Sequence, residues 1–203
     1  EAWIGEHHSG GYELIASPEV FIAHAAARTR HIRLGTGVLS LPYHQPLLVA
    51  DRMVLLDHLT QGRVMLGVGP GQLISDAQML GIQPENTRRM LEESLDAIVA
   101  LLAGEVVTRR TDWFRLEGAR LQLRPFTQPR FEIAAAATVS PIGPTLVGRH
   151  GLGMLSLAAT NPAGFALLAR HWEIVEEQAA RSGASVDRRR WRMTCPMHLA
   201  DSD

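Results

Sequence analysis

Glu6-His7-His8 is the sharpest chemical feature of this 203-residue chain. An imidazole titrates near neutral pH, so it can give a proton to a reacting group or take one from it. Neighbouring side chains of an extended segment point to opposite faces. One histidine can therefore face a cleft while the other packs outward or fixes a loop. A purely structural pair of loop histidines fits the same spacing. No third ligand lies nearby, so no metal site is expected.

Other polar residues recur where β-like runs give way to loops. Ser40, Pro42, Tyr43 and His44 follow one run. Gly69, Pro70 and Gly71 follow the next, with Ser75 and Asp76 beyond, and Thr138 and Ser140 follow a later one. Gly67-Val68-Gly69-Pro70-Gly71 is not a G-x-G-x-x-G fingerprint, and Pro70 removes an N–H that a pyrophosphate cradle would use. It reads as backbone passing close to something flat or bulky, or as a plain turn. Gly35 and Gly37 inside a strand suggest a bulge, a close ligand approach, or tight packing against a helix. Thr138-Val139-Ser140 precedes Pro141, with Gly143 in the first helical turn. Hydroxyls and free N–H groups there suit a phosphate, and Ser140 also suits an ordinary N-cap.

The elements that must position these groups alternate. Strands are predicted over residues 2–5, 32–41, 64–68, 133–137, 153–157 and 191–199. Helices are predicted from Ser17, as N-cap, to about Thr29, from Pro46 to Thr60 with Gly62 as the turn, over 87–102 and 141–149, and as one long helix over 162–182. A hairpin over 111–123 falls in an insertion at 108–130. Asp51, Arg52, Asp57 and His58 on the second helix read as ties to neighbouring elements. Cys195 and the four tryptophans read as packing, and Arg188-Arg189-Arg190 as a solvated face.

Short apolar strands separated by helices imply a parallel sheet covered on both faces. An open doubly wound sheet and a closed (β/α)8 barrel both satisfy that rule. Six strand candidates make an incomplete TIM barrel, a single partial domain over 1–203. It would lack a βα unit at the N-terminus and a strand and helix at the C-terminus. Glu1 at the start fits a piece of a longer chain.

Composition narrows the function classes. With 46% hydrophobic and 20% charged residues the chain can build a core. A net charge of −1 gives no footprint for nucleic acid or an anionic membrane. One cysteine excludes a disulfide framework and suggests a reducing, cytoplasmic compartment. No apolar run reaches membrane-helix length, and no signal peptide is visible.

W-I-G-E-H-H, S-P-E-V-F, H-I-R-L-G-T-G-V-L-S-L-P-Y-H-Q-P and L-D-H-L-T-Q-G-R-V-M-L-G-V-G-P-G, in that order, resemble the bacterial luciferase-like flavin-dependent monooxygenases. The likeness continues through R-L-Q-L-R-P-F and A-A-A-A-T-V-S-P-I-G-P to H-G-L-G. It points to the limonene- and alkanal-monooxygenase-like branch. It implies a (β/α)8 barrel that binds reduced FMN, or in another branch a deazaflavin, at the C-terminal mouth. His7 would be the catalytic acid/base, with Glu6 orienting it or touching the flavin ring. Thr36, Gly37 and Val38 fall where the family often has a non-prolyl cis peptide under that ring. Gly69 and Gly71 would also approach the cofactor, and Thr138, Val139, Ser140 and Gly143 would meet its phosphate. Pro70 replaces the arginine of luciferases proper, so the phosphate grip differs and luminescence is not implied. His8, Leu39, Leu41 and Met79 would line a site for a small hydrophobic substrate. The implied partners are dioxygen, a separate flavin reductase and a second copy in a homodimer. Two alternatives are a deazaflavin-dependent oxidoreductase using hydride transfer and a non-catalytic flavin-binding relative.

Overall fold

The computed structural model describes residues 1–157 and 162–194. The chain divides into two compact units, Glu1–Ile133 and Ala134–Asp203. In the first, β1 (Ala2–Ile4), β2 (Leu34–Thr36), β3 (Leu39–Ser40) and β4 (Val64–Gly69) run parallel. β1 pairs with β2, placing Ile4 opposite Thr36. β2 and then β3 pair with successive parts of β4, and Ser40 lies opposite Gly69. All six residues of β4 are buried, the pattern of a strand covered on both faces.

Residues 32–41 are therefore two short strands, not one. A non-prolyl cis peptide joins Gly37 to Val38 between them. The glycine at position 35 answers to packing: a Cβ there would stand 2.5 Å from the Trp3 ring on the neighbouring strand. The tight neighbour is a strand side chain instead of a helix.

Helices α1 (Pro18–Arg28), α2 (Pro46–Thr60), α3 (Ile74–Met79) and α4 (Thr87–Leu102) complete this unit with the hairpin β5 (Val107–Arg110) and β6 (Arg115–Ala119). Ser17 occupies the N-cap position of α1, but its hydroxyl makes no cap bond. α2 is capped by Gln45, whose side chain accepts from the Leu47 and Leu48 N–H groups. It ends in two left-handed residues, Gln61 (φ 52°) and Gly62 (φ 81°). The predicted ties form at Arg52, Asp57 and His58, while Asp51 is exposed. Arg52 meets Glu19 at 3.2 Å, and buried Asp57 accepts from Thr127 N–H and Oγ1, each at 2.8 Å. α4 buries Met90, Leu91, Leu95 and Ile98 at helical spacing, with Ser94 and Leu101. The hairpin begins earlier than predicted. Phe114 and Leu116 are buried, whereas Leu123 is exposed beyond it.

In the second unit β7 (Glu132–Ala137), β8 (Gly153–Ser156) and β9 (Trp191–Met193) pair in parallel. α5 (Ile142–His150), α6 (Pro162–Ala166) and α7 (Leu168–Ser182) accompany them. The predicted long helix is thus interrupted at Leu167. Gly143 and Gly148 let α5 sit close. A Cβ on Gly143 would lie 2.0 Å from the Ala136 carbonyl oxygen, and one on Gly148 would lie 2.4 Å from that of Val175. Trp172 and Trp191 stack at 5.4 Å with Arg188 against both rings. Arg188 is therefore a packing residue and not only part of a solvated face. Cys195 and the predicted strand residues from 195 to 199 lie outside the described residues.

Candidate active site

The carboxyl ends of β1, β3 and β4 lie at one edge of the first unit's sheet, because Ile4 aligns with Thr36 and Ser40 with Gly69. The loops that follow them carry the polar cluster. The β1 loop supplies Glu6, His7, His8 and Ser9. The turn after β3, a 3-10 turn over Leu41–Tyr43, supplies Tyr43 and His44. The loop after β4 leads into α3 and Asp76.

Alternation along the extended segment sorts the three residues at its centre. Glu6 and His8 share one side, and the His8 Nε2–Glu6 Oε1 distance is 3.1 Å. The Glu6 carboxylate is buried. It accepts from Ser40 N–H at 2.7 Å through Oε2 and from His44 Nε2 at 2.7 Å through Oε1. Arg52 approaches the other nitrogen of His44, Nδ1, at 3.5 Å. A guanidinium only donates, so this Nδ1 is the acceptor and Nε2–H points at Glu6. Glu6 is therefore an anchor for His8, His44 and the β3 loop. The expectation that it orients His7 fails, because the backbone alternation turns His7 to the other side.

His7 is oriented by two other acids. Its Nδ1 lies 3.2 Å from Asp76 Oδ2 and its Nε2 lies 3.0 Å from Glu13 Oε2. Asp76 is buried and also accepts from Ser9 Oγ and from the His8 N–H. Burial alone would raise the Asp76 pKa. The hydrogen bonds from Ser9, His7 and the His8 backbone outweigh it and hold the carboxyl below the ordinary carboxylate range. Glu13 reaches His7 from a left-handed backbone position, φ 51°, and most of its side chain is exposed. Tyr43 packs its ring edge-on to His8 at 6.0 Å. Burial, then the charges of Asp76 and Glu6, push its phenol up to about 12.

The remaining predicted residues fall into three groups. Thr36 is buried, and its hydroxyl is fully engaged: it donates to the Gly67 carbonyl at 2.7 Å and accepts from the Gly67 N–H at 2.9 Å. That hydroxyl is committed to β4, whereas Gly37 and Val38, joined by the cis peptide, are half-exposed. Leu39 and Leu41 are core residues, 1% and 0% exposed, because the 3-10 turn folds them inward. They do not form an open mouth; Met79 on α3 is exposed. Gly69 is buried at the end of β4, and Gly71 follows with φ 81°.

In the second unit Thr138 and Ser140 are half-buried and Val139 is exposed. Ser140 Oγ accepts from the Ile142 N–H at a long 3.4 Å, so capping of α5 is weak. Gly143 is explained by its fit against β7. His171 of α7, buried, hydrogen-bonds the Val139 backbone and so steadies this loop. Burial pushes its pKa down, and the bond to Val139 opposes that shift only in part.

Parallel strand–helix repeats whose strand ends carry an acid–imidazole cluster define an α/β enzyme-type scaffold with its chemistry at the carboxyl edge. Residues 1–203 match the family of luciferase-like monooxygenases, and the chain belongs to that family. It is 57% identical over 203 residues to limonene 1,2-monooxygenase of Rhodococcus erythropolis, covering 100% of this chain and 52% of that protein. Among solved structures it resembles monooxygenase RslO1 from Streptomyces bottropensis, with TM-score 0.84 and 26% identity over 94% of this chain and 58% of the other. It also resembles the oxygenating constituent of 3,6-diketocamphane monooxygenase from Pseudomonas putida in complex with FMN, a type II Baeyer-Villiger monooxygenase. There the TM-score is 0.77 and the identity 27%, over 94% of this chain and 55% of the other. The strand–helix repeats are thus part of a luciferase-like (β/α)8 barrel. The chain spans about half the length of the curated relatives it matches. Among the described residues no helix is long and apolar enough to cross a membrane, and no cluster of metal-ligating side chains forms.

Proposed function

We propose that the chain carries part of the active site of a flavin-dependent monooxygenase that inserts one oxygen atom of dioxygen into a small hydrophobic organic substrate. The observation that carries this reading is the His7 imidazole held between Asp76 and Glu13 at the carboxyl edge of the sheet, in a chain 57% identical along its whole length to a limonene monooxygenase. Reduced FMN, delivered by a separate reductase, would supply the electrons that activate oxygen. The residues present fit such a group. In the first unit the half-exposed Gly37-Val38 backbone and the Gly69–Gly71 turn border the polar edge; in the second, taken by itself, the Thr138–Ser140 loop before α5 carries hydroxyls suited to a phosphate.

The protein's own part is proton control and shielding. Asp76 can only accept, so it favours a proton on His7 Nδ1 and fixes the ring. Nε2 is then the atom that gives or takes a proton at the reaction centre, and Glu13, mostly exposed, is free to leave it. Glu6 holds His8 and His44 in place, and the apolar core beneath, including Leu39 and Leu41, excludes water from that side. The homodimer and the cytoplasmic setting belong to the same reading.

The test uses the whole protein. Oxygen consumption with reduced FMN and a terpene-like substrate is expected, with no hydride exchange from a reduced deazaflavin. His7→Ala should retain FMN binding and lose product formation by about a hundredfold or more, the scale of general acid–base catalysis. Turnover with deazaflavin in the absence of oxygen would replace this reading with the hydride-transfer one. FMN binding without any turnover would point to a non-catalytic flavoprotein.

A further inference from the structure

Hydrogen bonding among the described residues accounts for Glu6, His7, His8, His44 and Asp76, but not for the hydroxyl of Tyr43. Its oxygen is buried and has no partner. Directly against it lies Gly71, in a left-handed conformation with φ 81°. A Cβ at Gly71 would stand 2.3 Å from the phenolic oxygen and 2.7 Å from Cζ. A glycine turn is therefore shaped around a hydroxyl that binds nothing. A buried hydroxyl left unpaired is a standing cost to the fold, and phenylalanine would fill the same volume without it. The phenol stays neutral and able to donate across the physiological range, because burial and the adjacent carboxylates oppose its ionisation.

We propose that the Tyr43 hydroxyl is a ligand-binding group, donating a hydrogen bond to a carbonyl-type oxygen of a molecule bound at the ends of β3 and β4, with the Gly71 turn giving way as that oxygen enters. This rests on the flavin reading above. Such an oxygen is found on a flavin ring and on an oxygenated organic substrate, and the two sources are separable. The surrounding carboxylates favour this donor role further, since an anionic ligand atom at that point would face Asp76 and Glu6.

The experiment is Tyr43→Phe in the whole protein, read three ways. Urea unfolding of the free protein should show equal or greater stability, since no bond is lost. Fluorescence titration with FMN, and KM for the organic substrate at saturating FMN, follow. A weakening of FMN affinity by about tenfold assigns the acceptor to the flavin. A rise of about tenfold in KM alone assigns it to the substrate. If the variant binds both as the wild type does, the proposal is wrong. It is equally wrong if the variant is clearly less stable when free, because the hydroxyl then has a structural partner. If the wild-type protein binds no flavin in the same titration, it is the flavin reading that fails.

Discussion

Asp76→Asn is the most informative single change, because it alters charge and donor pattern at one buried oxygen while keeping size. In the native chain Oδ1 accepts from Ser9 Oγ and the His8 N–H, and Oδ2 faces His7 Nδ1 at 3.2 Å. An asparagine can keep its carbonyl on Ser9 and His8. Its NH2 group then meets His7, where two donors would confront each other unless the imidazole moves its proton to Nε2. One charge-assisted bond, about 1.5–3 kcal/mol, is lost, and the two others weaken towards neutral strength. Removing a buried charge returns part of this, so a net loss of about 1–3 kcal/mol is expected at pH 7. The sign with pH follows from the lowered pKa of Asp76. Its stabilisation is complete above the unfolded carboxyl value, about 3.9, and disappears as pH falls through the lower folded value. Urea unfolding of wild type and variant should therefore differ at pH 7 and converge in strong acid. A difference that stays constant from pH 7 to pH 3, or no difference at pH 7, would refute the reasoning. In the whole protein the same variant should lose turnover by about tenfold to a hundredfold, with FMN affinity little changed, since the proton on His7 is displaced.

Gly143→Ala drives a methyl into the Ala136 carbonyl, 2.0 Å away, and should cost about 3 kcal/mol by urea unfolding; a loss under about 0.5 kcal/mol would show that α5 shifts freely. Asp57→Ala strips the buried acceptor from Thr127 N–H and Oγ1 and should cost about 2–3 kcal/mol in the same assay. In residues 1–203 carrying Tyr12→Phe, where Tyr43 is the remaining tyrosine, phenolate absorbance should stay low at pH 11 and rise around 12. Because that folded pKa is raised, the contribution of Tyr43 to stability is intact below its unfolded value near 10 and falls away between there and about 12; a phenol titrating near 10 in the folded protein would contradict the burial described.

Much of the fold could be read from one sequence because strong local signals agreed with tertiary demand. Proline at the first turn marks α1 and α2, and α4 occupies the range its apolar period predicts. The break between β2 and β3 was hidden. It depends on pairing, which runs from Leu34–Val64 and resumes at Leu39–Val68, and apolar composition is the same on both sides. The carboxyl-edge cluster was legible because polar residues at strand ends are otherwise unneeded. Glu13 was not, since its reach depends on a left-handed backbone residue that no side-chain pattern announces. Leu39 and Leu41 misled for the opposite reason. Their type suits an apolar mouth, but the core takes them.

The buried carboxylates Glu6 and Asp76 also explain how short loops can hold a site in place. Glu6 binds the β1 loop to the β3 loop through Ser40 and His44, and Asp76 binds the β4 loop back to the β1 loop through Ser9, His7 and the His8 N–H. Loops this polar have little apolar surface to bury, so ionic hydrogen bonds take over the work that packing does elsewhere. Stability and geometry are then supplied by the same atoms. Substituting either acid must loosen the loops and misplace the imidazole together. His7 ends the Asp76 network: without it Asp76 still holds Ser9 and the His8 N–H, and among the described residues its Nε2 meets the exposed Glu13 carboxylate. On the proposed reading, chemistry would therefore be removed at His7 without dismantling the frame, and that position, not Glu6, is the one expected to separate catalysis from folding.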